Sequence, residues 1–127
     1  MDRIEKHITR AVEVAKLSTQ RYRHGAVIAH GGKVMSVGVN TRRSHPSVCT
    51  DPQTESAFHA EVSAIRGLRT TAKPHKMVLF SARVDALGFP QWAKPCVRCR
   101  VAMRNAGFTD CYFTTGYVDS PYQWLPL

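Results

Sequence analysis

Acidic residues are scarce in this chain: nine Asp and Glu face 18 Lys and Arg across 127 residues, a formal charge of +9. That balance argues against cationic partners and favours anionic ones: nucleotides, nucleic acids or single phosphate groups. A basic surface with no dedicated ligand is the plainer alternative. Long apolar runs are also missing. No stretch approaches the ~18 residues of a membrane span, so no membrane partner is expected. The opening Met1-Asp2-Arg3-Ile4-Glu5-Lys6 is charged and amphipathic and has no apolar stretch of the secretory kind, which makes a cytoplasmic location the expectation. There is no repeat and no low-complexity segment. The length leaves room for one core, so residues 1–127 are expected to form a single domain. With 43% apolar residues, that core needs no disulfide scaffold to hold it.

The four cysteines stand at positions 49, 96, 99 and 111. Cys96 and Cys99 share a C-x-x-C spacing behind Pro95, which points to metal or redox chemistry rather than a disulfide framework. Cys111, within Cys111-Tyr112-Phe113, reads as a packed thiol in a buried strand. Cys49 lies in a polar loop and stays open as a further ligand.

Apolar side chains at Ile4, Ile8, Ala11, Val12 and Ala15 mark a helix within residues 2–20. Ala26–Ala29 and Val34–Val37 form a hairpin through Gly31-Gly32. Residues 40–57, with Pro46 and Pro52, make a long loop of the kind usually kept for function. A helix is expected from about Glu55 to Arg69, capped by Thr54 or Ser56, with Ala60, Val62, Ala64, Ile65 and Leu68 facing inward. Met77–Phe80 reads as a buried strand and residues 83–94 as a second long loop. A helix from Pro95 to about Ala106 stops at Gly107, and Asp110–Thr115 is a last strand. This α-β-β-α-β-α-β order followed by a tail implies helices packed on a mixed sheet. The two strands separated by a helix should lie parallel.

Two helix starts carry the chemistry. His59-Ala60-Glu61 opens one, and Pro95-Cys96-Val97-Arg98-Cys99 opens the other. Positions i and i+3 share a helix face, so Cys96 and Cys99 can grip one ion, with the helix N-terminus favouring thiolate. One histidine brings the ligand count to three, which suits a catalytic zinc that keeps a fourth position for water. Zinc lowers the pKa of bound water toward ~7. Glu61, beside the metal, can then collect a proton and deliver it twice, first to a ring nitrogen and then to a departing amine. Three other readings stand beside this one. A structural zinc would need a fourth protein ligand, which Cys49 or Cys111 could supply. A redox pair would want a strand directly before the cysteines, and short motifs also arise by chance.

Together these residues resemble the H-x-E…P-C-x-x-C signature of the cytidine and deoxycytidylate deaminase superfamily. The likeness runs from about Gly25 to Thr115 and takes in Gly25-Ala26-Val27-Ile28 as first strand and Gly38-Val39-Asn40 at the end of the second. It implies an α/β, three-layer cytidine-deaminase-like fold, with a central mixed sheet of about four to five strands flanked by helices. The core would cover about 24–115, with a short tail at 116–127. It also implies bound Zn2+, Glu61 as proton carrier, hydrolytic loss of a nucleobase amine and a homo-oligomer of two or more copies. Histidine as first ligand resembles the deoxycytidylate, tRNA-adenosine and guanine branches, which implies a parallel final pairing in the sheet.

For substrate contacts, Asn40 matches an asparagine that bonds the sugar in nucleotide-acting relatives, or else simply ends its strand. The Ala60 N–H is implied to hold a base carbonyl or ring atom. Arg42 and Arg43, with His45, lie where a nucleotide phosphate could sit, or in a solvated loop. Trp92 loosely resembles the loop tryptophan of polynucleotide cytidine deaminases, though it stands one residue further from the proline; core packing or an interface is the alternative. Basic residues at Arg66, Arg69, Lys73, His75 and Lys76 lie at the far end of the helix from the metal. The tail aromatics would fold over a base or, more plainly, cover exposed core. The expected substrate is cytosine in a free nucleotide or nucleoside such as deoxycytidylate. A single-stranded DNA or RNA deaminase, a free-base or specialised-metabolite deaminase and a non-enzymatic zinc module are the alternatives.

Overall fold

The computed structural model describes residues 2–41, 59–68 and 76–127. In chain order its elements are α1 (Arg3–Ala15), β1 (Arg23–His30), β2 (Lys33–Val39), α2 (Ala60–Arg66), β3 (Val78–Val84), β4 (Pro90–Gln91), α3 (Val97–Asn105), β5 (Asp110–Thr114) and β6 (Tyr122–Pro126). The strands form one mixed sheet in the order β2-β1-β3-β5-β6, with β4 paired to β3. β1 and β2 make the expected antiparallel hairpin, and Gly31 supplies its positive φ of 61°. β3 and β5 run parallel, as a helical crossover between them requires.

Side-chain alternation divides the sheet into two faces. Val27, Ala29, Phe80, Ala82 and Val84 pack on Ile8, Ala11 and Ala15 of α1. Ala26, Ile28, Leu79 and Cys111 pack on Ala60, Val62 and Ala64 of α2 and on Cys99 and Met103 of α3. Two glycines set how closely the helices sit. A Cβ on Gly38 would come within 2.5 Å of Ala64 N and 2.6 Å of Ala60 O, so α2 rests directly on the β2 backbone. Gly25 plays the same part under Ala11 and Ala15 of α1.

Several boundaries differ from the sequence reading. α1 ends at Ala15 rather than near 20. α2 opens at Ala60, because His59 has extended backbone (φ −67°, ψ 145°) and is itself the N-cap; Thr54 and Ser56 lie outside the described residues. The segment expected as a loop over 83–94 contains the end of β3 and the short β4. Asp85 closes it: its Oδ1 accepts from Leu87 N and Phe89 N, and its Oδ2 from Gln91 Nε2. These bonds, led by the Phe89 amide, hold the Asp85 carboxyl below its ordinary pKa.

The tail gives the main correction. It supplies a sixth strand, β6, which pairs antiparallel with β5, so the final pairing is not the parallel one implied by the family branch. The link from Thr115 to Pro121 is too short for a parallel crossover of a dozen or more residues, so the chain turns straight back. Leu125 and Leu127 then cover the cluster that holds Cys111 and Phe108. Tyr122 meets Tyr112 edge-on at 6.0 Å, on the α1 face, and Trp124 donates from Nε1 to Asp110 Oδ1 at 2.8 Å. Tyr122 and Trp124 therefore point away from the α2 and α3 side. No helix among the described residues is long and apolar enough to cross a membrane.

Candidate metal and active site

The N-termini of α2 and α3 meet where His59 faces Cys96 and Cys99, with Glu61 reaching Ser81 midway along β3. His59 makes no side-chain capping bond, which leaves its ring to turn toward α3. Its Nδ1 lies 3.2 Å from Cys99 Sγ and 3.9 Å from Cys96 Sγ. Cys96 is the N-cap of α3, and its sulfur accepts from Cys99 N at 3.4 Å. The three ligand atoms all lie within 4.8 Å of one another. A tetrahedral zinc with ordinary bond lengths holds nitrogen and sulfur about 3.6 Å apart, a value bracketed by the two observed separations. The donor set therefore fits Zn2+, which His59 would hold through Nδ1.

Cys111 does not join this group. It is buried in β5, and its thiol is pushed well above the ordinary pKa, first by burial and then by the Glu61 carboxylate. The packed-thiol reading of Cys111 therefore holds. Cys49, Arg42, Arg43 and His45 lie outside the described residues, as do Arg69, Lys73 and His75. Arg66 closes α2, seven residues and so about 10 Å along the helix from His59.

Glu61 is in the first turn of α2 and only 4% exposed. Ser81, wholly buried on β3, donates from Oγ to Glu61 Oε1 at 2.7 Å and lies 3.2 Å from the Ala93 carbonyl oxygen. Ala60, also fully buried, stands between His59 and Glu61 at the helix start. The site thus draws on α2, α3, β3 and the segment after β4.

Asn40 is buried at the end of β2. Its Oδ1 accepts from Ser18 Oγ at 2.7 Å and from His24 N at 3.0 Å, and its Nδ2 donates to Tyr22 O at 2.6 Å. The amide thereby ties the segment before β1 to the strand end and keeps one Nδ2 hydrogen for anything else. Trp92 is 46% exposed and rests edge-on against Phe113 at 5.1 Å. A backbone bond from Ala93 N to Thr114 O and a bond from the Thr114 hydroxyl Oγ1 to Gln91 O fix the loop beneath it. Packing and exposure are both present in Trp92.

Four residues near the site escaped the sequence reading: Ser81, Arg83, Tyr22 and Arg21. Arg83 follows Ser81 by two positions on the same sheet face, roughly 7 Å along the strand. Its guanidinium lies 5.3 Å from the Tyr22 ring centroid, and that of Arg21 lies 5.6 Å away. Neither cation pairs with a carboxylate among the described residues. The sequence reading puts Arg83 at the start of a loop, whereas β3 runs on through Val84, and only the folded sheet shows which face Arg83 takes.

Comparison with known proteins agrees with this geometry. A family model described as the cytidine and deoxycytidylate deaminase zinc-binding region matches residues 1–115. Among solved structures, the apo dCMP deaminase of cyanophage S-TIM5 superposes with a TM-score of 0.65 at 23% identity, covering 91% of this chain and 86% of that one. The same phage enzyme in complex with dCMP and dUMP gives 0.64 at 19% identity, over 87% and 79%. RibD of Acinetobacter baumannii gives 0.55 at 18% identity, over 89% of this chain but only 28% of that one. No curated protein sequence matches.

Proposed function

The chain belongs to the cytidine and deoxycytidylate deaminase family, and from that premise we propose that it is a zinc-dependent enzyme removing the amine of cytosine in a free nucleotide such as deoxycytidylate. The observation that carries this reading is the meeting of His59 Nδ1, Cys96 Sγ and Cys99 Sγ beside the buried carboxylate of Glu61. His59, Cys96 and Cys99 would hold the zinc, which when bound supplies a water activated for attack at neutral pH.

Glu61 then handles the protons. It takes up the one released by the attacking water, places it on the ring nitrogen, and serves again as the amine leaves. Water and cytosine become uracil and ammonia, with Glu61 restored. The buried Ala60 N–H is positioned in sequence to meet the base, and Asn40 keeps one amide hydrogen for a sugar hydroxyl. A nucleotide, rather than a nucleoside, is favoured by Arg83 and Arg21, whose cations gather at Tyr22 without carboxylate partners among the described residues. It is favoured too by the fold shared with a phage enzyme bound to dCMP and dUMP. Arg42 and Arg43 belong to the same reading as phosphate contacts. An assembly of two or more copies is part of it as well, and the exposed Val97 and Val101 one turn apart on α3 suit such a contact.

Single-stranded nucleic acid is the second reading, supported by the half-exposed Trp92 and the charge of +9. The test is ammonia release and product mass for zinc-loaded protein on deoxycytidylate, deoxycytidine, cytidine, guanine, adenine and single-stranded DNA and RNA. Glu61→Ala is expected to retain zinc and to lose at least about 10²-fold in kcat. Full activity in that variant, or turnover of none of these substrates, would sink the proposal.

A further inference from the structure

Ser81 stands on β3, twenty positions from Glu61 in sequence and outside both metal motifs. Its neighbours on the same sheet face are Leu79, which is core, and Arg83. A hydroxyl buried at such a position must be hydrogen-bonded, since a buried polar group without a partner is costly. Ser81 spends its single hydrogen on Glu61 Oε1 at 2.7 Å, with the Ala93 carbonyl at 3.2 Å as the longer alternative. Glu61 Oε2 makes no hydrogen bond to the described residues. One carboxylate oxygen is therefore tethered from the sheet while the other stays available.

We propose that Ser81 positions Glu61, fixing Oε1 so that Oε2 is presented to the reacting atoms. This assignment rests on the deaminase reading of the site. A glutamate in the first turn of a short helix has three side-chain torsions, and the helix backbone alone does not choose among them. A donor anchored in the centre of the sheet removes that freedom before substrate arrives, which is how a supporting hydrogen bond aids a proton transfer. The contact with Ala93 brings a second consequence. The carbonyl oxygen of Ala93, in the segment that carries Trp92 and leads into Pro95 and Cys96, lies 3.2 Å from the hydroxyl that holds Glu61, so the metal helix and the proton carrier lie against one point on β3.

The experiment compares wild type with Ser81→Ala and with the volume-matched pair Ser81→Thr and Ser81→Val. Steady-state kinetics on whichever substrate the panel identifies would be read beside zinc content and melting temperature. Ser81→Ala and Ser81→Val should lose about 10- to 100-fold in kcat, with KM and zinc content nearly unchanged. Ser81→Thr, which keeps the hydroxyl, should recover most of the loss relative to Ser81→Val. The side-chain carboxyl 13C resonance of Glu61, assigned through Glu61→Gln, should move in Ser81→Val and stay in place in Ser81→Thr. A kcat within twofold of wild type in Ser81→Val, a change confined to KM, or an unmoved resonance would overturn the assignment alone. Turnover of no substrate by wild type would overturn it together with the deaminase reading.

Discussion

Cys111 and Cys99 are both buried sulfurs of one core cluster, and their surroundings separate their roles. Cys99 faces a histidine nitrogen and another thiol, whereas Cys111 donates only a weak contact to the Tyr112 carbonyl oxygen at 3.6 Å. Burial, reinforced by the negative Glu61, raises the Cys111 pKa well above its ordinary value. The sign of the linkage follows from that. In the unfolded chain the thiol ionises near 8.5, while in the folded protein it keeps its proton to higher pH. The stabilisation is complete below about pH 8.5 and is lost as pH rises toward the folded value. Between pH 8 and 10 the loss has an upper limit of about 2 kcal/mol, reached when the folded thiol keeps its proton throughout. Urea denaturation of wild type and Cys111→Ala at both pH values should show wild type falling by up to that much more than the variant. Parallel profiles would mean that the folded state ionises as readily as the unfolded one. Spacing was enough to bring His59, Cys96 and Cys99 together from the sequence as a group able to hold a metal, because i, i+3 pairing and a helix start are local facts. Ser81 was not legible, because a serine within a strand reveals its partner only once another element is laid upon it.

The elements that carry the site are held by close approach as much as by apolar burial. α2 has only seven residues, too few to be stable without packing, and it rests on β2 where Gly38 leaves no side chain. In Gly38→Ala the new Cβ would meet backbone atoms of Ala60 and Ala64, which cannot rotate aside, so the helix must retreat with His59 and Glu61. The expected cost is about 1–3 kcal/mol of stability. A shift of order 1 Å at the carboxylate should lower kcat by roughly 10²-fold. Gly32→Ala is the control: nothing lies within 4 Å of its added carbon, and stability should stay within about 0.5 kcal/mol. Equal melting temperatures and rates for the two variants would show that α2 has room to move. The hairpin, the parallel β3 and β5 and the start of α3 were legible, each marked by glycine, an apolar run or Pro95. β4 and β6 were not. β4 is two residues long and begins at a proline, while β6 is a five-residue strand ending in Pro126, and both depend on a neighbouring strand to define them.

Across the molecule the two faces of the sheet have separate tasks, and charge is the property that distinguishes the remaining substrates. The α1 face ends in Tyr112 and Tyr122, and the Tyr122 pKa is raised first by burial and then by the nearby Asp2 and Glu5, so acid fringes an aromatic row that would otherwise suit stacked bases. On the opposite face Arg83 follows Ser81 along β3, and its guanidinium and that of Arg21 gather at Tyr22. A polyanion is therefore best met on the metal side, over a limited span. Salt then separates one nucleotide from a strand. A polynucleotide making six phosphate contacts releases counterions along its length, and its affinity should fall by a few hundredfold, roughly, between 50 and 200 mM salt. A mononucleotide gripped by one or two guanidiniums is only screened, and its KM should rise by less than about fivefold over the same range. Measuring KM for deoxycytidylate and Kd for a catalytically inert single strand across that series tests both. A steep slope for the strand, weakened in Arg83→Ala and Arg21→Ala, would move the basic residues from phosphate recognition on one nucleotide to tracking of a backbone. A shallow slope for deoxycytidylate, with kcat/KM for the nucleotide falling in those variants toward that for deoxycytidine, would fix them as the phosphate contacts of a free-nucleotide enzyme.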